Sequence, residues 1–162
     1  MKKRGQMEIS FGVIFSIIMI IAILATSFYV IKYFTSLSRC SSTGLFYDSL
    51  RDEVDTMWKA SGGRQLFSYI APGSVDYACF GNMTTQAKTT DRERFDEIYR
   101  TNRLSDYNLF FYPLTKGCKA LNSQHVEHVN IPEFFCVKPV EGEISVILEK
   151  DTFDSSVTIS QR

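Results

Sequence analysis

His125-Val126-Glu127-His128 is the one cluster in this chain whose residue types could do chemistry. Two imidazoles at i and i+3 can meet on a helix face and hold a metal ion with Glu127 or Cys118. The surrounding pattern argues against that use. The segment has no helical periodicity, and HxEH is not the HExxH spacing that sets two ligands and a base on one helix face. The chain has only these two histidines, so no further imidazole is available. The sequence also lacks a GxSxG step, a phosphate-cradling glycine loop and a Ser/His/Asp set in recognisable context. The expectation is a solvated loop, with no catalytic residue, no metal ligand, no cofactor and no enzymatic activity.

Cys40, Cys79, Cys118 and Cys136 are four and widely spaced. Thiols outside the cytoplasm tend to pair, and each bridge in a small domain contributes about 2–4 kcal/mol. No CxxC occurs, which argues against a zinc knuckle and a redox motif. Three pairings are open. Cys79 and Cys136 both lie in strand-like runs, which favours Cys79–Cys136 and leaves Cys40–Cys118 to tie a helix to a loop. The alternative is four buried thiols in a reducing compartment. Asn82-Met83-Thr84 is an N-glycosylation sequon just after Gly81, in an expected surface loop.

These residues need a scaffold, and its first part is an anchor. From Phe11 to Ile31 run 21 consecutive uncharged residues. As a helix they span about 31 Å, close to the hydrocarbon thickness of a bilayer. Tyr29, Lys32 and Tyr33 stand at the far end, where aromatic rings and a snorkelling ammonium meet headgroups. A buried core helix is the alternative, but a run apolar on every face needs more protein than this chain has to cover it. Lys2, Lys3 and Arg4 precede the run, so the positive-inside rule puts the N-terminus in the cytoplasm and the remainder outside. Ala25-Thr26-Ser27 resembles a secretory cut site, yet Phe28 to Phe34 carries the apolar character past it.

The flank of the anchor holds a second processing signal. Lys2-Lys3-Arg4-Gly5-Gln6 is a basic cluster, a glycine and a polar residue before the apolar helix. In this it resembles the class III signal peptides of archaeal type IV pilin-like proteins. The likeness covers the first thirty or so residues. It implies that a prepilin peptidase cuts between Gly5 and Gln6 on the cytoplasmic side and that the helix is kept. It also implies an assembly role for a glutamate shortly after the cut, here Glu8. Family members commonly place that glutamate fifth after the cut; here Glu8 is third and Ser10 is fifth. A plain charge at the membrane edge is the alternative reading of Glu8.

Beyond the anchor, Phe46, Leu50, Val54 and Met57 recur at helical spacing, with Leu45 and Trp58 widening the stripe and Ser61-Gly62-Gly63 ending it. The stripe is expected to pack against a sheet, with a partner-helix interface as the alternative. Gly44 would cost a continuous helix only about 1 kcal/mol, so continuity from the anchor stays open. Downstream, Gln65–Ile70 and Val75–Phe80 flank Ala-Pro-Gly-Ser as a hairpin candidate. Asp91–Arg100 reads as a short helix capped by Thr90 or Asp91, and Lys116–Ile131 as a loop. Asn108–Tyr112, Glu133–Lys138, Glu143–Leu148 and Ser156–Ser160 read as strands.

The fold class expected is α+β: a long N-terminal transmembrane and stalk helix, then a small, mainly antiparallel head with a short helix. The organisation expected is 1–10 cytoplasmic leader, 11–34 transmembrane helix, 35–63 stalk helix and 64–162 extracytoplasmic head. Charge agrees with this. The 18 Lys/Arg and 18 Asp/Glu cancel, yet five of the cations and only Glu8 of the anions lie before Cys40. The acidic remainder offers no broad basic face for nucleic acid. The function expected is a single-pass, membrane-anchored structural subunit of pilin-like or pseudopilin-like kind. Its partners would be membrane lipid, and other proteins or further copies of itself through the apolar helix. The alternative is an unprocessed, signal-anchored interaction module that docks a partner through the Phe46/Leu50/Val54 stripe.

Overall fold

A computed structural model describes residues 11–73, 75–116 and 118–162. It opens with α1 (Phe11–Lys59), a single α-helix of 49 residues. The chain divides into two compact units, one ending at Leu37 and one covering Ser38–Arg162. In the first unit the described helix is long and apolar enough to cross a membrane, and its apolar side chains are exposed on every side. Four of its hydroxyl side chains are satisfied within the helix. Ser16, Thr26, Ser27 and Thr35 each donate a hydroxyl to the carbonyl four residues back, at 2.7–2.9 Å. Such bonds remove the desolvation cost of a hydroxyl in an apolar surround.

The second unit is the α+β head. After α1 come β1 (Gly63–Ile70), β2 (Tyr77–Phe80), α2 (Arg92–Asn102), β3 (Leu109–Tyr112), β4 (Ser123–Gln124), β5 (Val129–Asn130), β6 (Phe135–Val137), β7 (Glu143–Lys150) and β8 (Val157–Gln161). They form two four-stranded sheets, in the orders β1-β7-β8-β5 and β4-β3-β2-β6. Every pairing is antiparallel except β5 with β8. Within this unit Thr43, Phe46, Tyr47, Leu50, Val54 and Met57 of α1 are buried. All but Thr43 pack with Phe67 of β1, Ile144, Val146 and Leu148 of β7, and Val157 and Ile159 of β8. The expected packing of the stripe on a sheet is therefore observed.

The stripe is fully enclosed in the head: Phe46, Leu50 and Val54 are each 0% exposed. The alternative that this stripe docks a partner helix is thus overturned, because intramolecular burial already covers those side chains. Leu45 does not belong to the stripe; it is 55% exposed, one helical step from Phe46 and on the opposite side of the packing face. Gly44 leaves the helix unbroken, with the Leu121 side chain as neighbour. The helix ends at Lys59, and Gly63, expected as its terminator, opens β1 instead.

The second sheet is covered on both faces, which explains why Leu109-Phe110-Phe111 is continuously apolar. Leu109 and Phe111 face the α1 core with Ala78, Phe80 and Phe135. Phe110 joins Cys79, Cys136, Phe134 and Ile98 of α2 in a separate cluster. Period-two alternation along β2, β3 and β6 thus feeds two cores from one sheet.

The hairpin candidate is not formed. β1 pairs with β7, whereas β2 pairs with β3 and β6, so the two strands belong to different sheets. The Ala71 N–H donates to the Gly142 carbonyl, and the Asp76 N–H donates to the Tyr112 carbonyl. Ala71 is thereby tied to the residue before β7 and Asp76 to β3, so long-range pairing overrides the local turn signal. The expected loop from Lys116 also contains short structure, the 3-10 turn Lys119–Leu121 with β4 and β5.

One glycine has a definite steric role. Gly81 has φ +140°, and a Cβ there would lie 2.8 Å from Phe134 Cα. Gly81→Ala is expected to cost about 2–3 kcal/mol through backbone strain and this contact. The urea midpoint of head unfolding measures it, and an unchanged midpoint would contradict the close approach.

Candidate functional site

The two disulfides fix the head's framework. Cys79 and Cys136 are directly opposed in the β2–β6 register and are bonded to each other. Cys40 on α1 is bonded to Cys118, just before the Lys119–Leu121 turn. This is the pairing that the strand-like runs favoured, and no described cysteine is free.

Beside Cys136 sits a carboxylate with a different task from the one expected. Asp91 stands at the N-terminus of α2 but makes no side-chain capping bond. Its Oδ2 accepts the Cys136 N–H at 3.1 Å, and its Oδ1 accepts from Arg94 at 2.8 Å. The Arg94 guanidinium in turn lies 3.9 Å above the Tyr77 ring. A buried carboxylate needs both a countercharge and donors, and tying α2 to β6 supplies them. Nearby, the Tyr112 hydroxyl donates to Glu97 at 2.6 Å, which raises the phenol pKa above its ordinary value. On α1, burial raises the Tyr47 phenol pKa above its ordinary value.

His125 and His128 line one open cleft of about 340 Å³ together with Arg103, Asp106, Tyr107 and the sequon Asn82-Met83-Thr84. The His125 Nδ1 lies 2.7 Å from the Asp106 carbonyl oxygen. A carbonyl only accepts, so Nδ1 carries the proton. His128 has φ 62° and stacks on Trp58, ring centroids 3.8 Å apart and planes 7° apart. Its ring therefore serves the packing of α1, and Trp58 is braced further by donating Nε1–H to the Ser155 carbonyl at 3.0 Å. Among the described residues no three His, Cys, Asp or Glu side chains gather as a metal set.

Asn82 and Thr84 are exposed, whereas Met83 between them is 7% exposed and packs in the α2-side cluster. Gly5, Gln6 and Glu8 lie outside the described residues. Sequence reading missed the Asp91 bridge and the Trp58–His128 stack. The only signals for them were an acidic residue before a helix and a lone tryptophan.

Comparison with family models, with curated proteins and with solved structures gives no match to this chain.

Proposed function

We propose that the chain is a membrane-anchored structural subunit of pilin-like kind, with residues 11–34 in the bilayer, the basic leader cytoplasmic and the head outside. The observation that carries this reading is α1: its early part is apolar and exposed all round, while Thr43–Met57 build one face of a cystine-bearing core. A helix apolar on every side requires lipid or other apolar helices around it. Two disulfides support an oxidising compartment for the head. Lys2, Lys3 and Arg4 support the orientation, and the Gly5–Gln6 step supports cleavage that keeps the helix.

The reading is tested by placing a photo-crosslinking residue at Ile20 or Leu24 of the full chain in its membrane. Self-adducts at twice the subunit mass are the expected product. Adducts solely to other proteins would replace the subunit reading with that of a signal-anchored interaction module.

A further inference from the structure

We propose that Asn82 is a modification site that carries an N-linked glycan; this rests on the reading that the head lies outside the cytoplasm. Asn82-Met83-Thr84 is the chain's one Asn-x-Ser/Thr triplet without proline at its centre. The fold presents it as a transferase needs it. Asn82 and Thr84 are exposed, and the Met83 side chain, packed with Ile98 and Phe110, pins the turn between them. The turn is closed by Thr85, whose N–H and Oγ1 both donate to the Asn82 carbonyl, at 3.1 and 2.6 Å. On its other side the backbone is fixed by Gly81, whose N–H donates to the Asn108 carbonyl at 3.0 Å.

The surroundings suit a first sugar. Asn82 borders the cleft of about 340 Å³ that also holds Arg103, Asp106, Tyr107 and His125. Arginine supplies donors and aspartate supplies acceptors for sugar hydroxyls. The co-reactant is a sugar activated on a lipid-linked phosphate or pyrophosphate. The Asn82 Nδ2 forms a bond to the anomeric carbon, and the carbon–oxygen bond to the phosphate breaks. The lipid phosphate leaves with that electron pair, and Nδ2 releases one proton.

The experiment is translation of the full chain into microsomes that contain an oligosaccharyltransferase, with gel mobility read before and after a deglycosylating enzyme. The wild-type chain is expected to gain one enzyme-sensitive increment. Asn82→Gln should abolish it and Thr84→Ser should keep it. Phe153→Asn is the control for orientation: Phe153 is 99% exposed at the tip between β7 and β8, and the change makes a second sequon with Asp154 and Ser155. An increment from Phe153→Asn with none at Asn82 would overturn the site and leave the orientation standing. No increment at either position would overturn the orientation, and the site with it.

Discussion

Phe46→Ala is expected to lower the stability of the head by about 3–5 kcal/mol, the range for emptying a fully buried aromatic site. Phe46 is 0% exposed, and its ring packs edge-on against Phe67, Tyr69 and Phe111 at centroid distances of 5.7, 5.9 and 5.2 Å. Those partners come from β1 of one sheet and β3 of the other. The ring therefore joins α1 to both sheets at once, and its removal loosens all three. Trp58, the chain's single tryptophan, is a built-in reporter for denaturant unfolding in detergent. Leu45→Ala, on the exposed side of the same helix, is expected to stay within about 0.5 kcal/mol. Equal effects at the two positions would contradict the enclosed stripe.

The second large effect concerns the bridge from α1 to the loop. Cys40 and Cys118 are 78 residues apart, and closing a loop of that size removes about 4 kcal/mol of chain entropy from the unfolded state. The Cys40→Ala/Cys118→Ala double variant should lose an amount of this order, seen as a lower denaturation midpoint under oxidising conditions. Adding reductant should then move the variant less than the wild type, because only Cys79–Cys136 remains to be reduced. A wild-type midpoint that ignores reductant altogether would contradict a stabilising role for either bridge.

How far the sequence spoke for the structure varied with the range of the interactions involved. The apolar run from Phe11 and the 46/50/54/57 stripe were legible because they depend on helical period alone. Ile144, Val146 and Leu148 were legible in the same way, through strand alternation. The hairpin between β1 and β2 was misread because a turn signal is local, whereas strand partners are chosen by burial across the whole head. Leu45 was misread because its apolar character alone does not tell which side of the stripe edge it falls on. Asp91 looked like a helix cap by position, yet its carboxylate answers an N–H from Cys136, 45 positions along the chain. The cleft joins residues from the sequon, the segment after α2 and the histidine segment, so no single stretch of sequence announces it.

If this chain is a processed anchor subunit, as proposed above, its N-terminus carries the mark of that processing. The measurement is the intact mass of the full chain extracted from the membrane of its own cells, with fragmentation to read the first residues. The expected product is a chain that begins at Gln6, having lost residues 1–5 and kept the apolar helix. A chain that still begins at Met1 would contradict that processing.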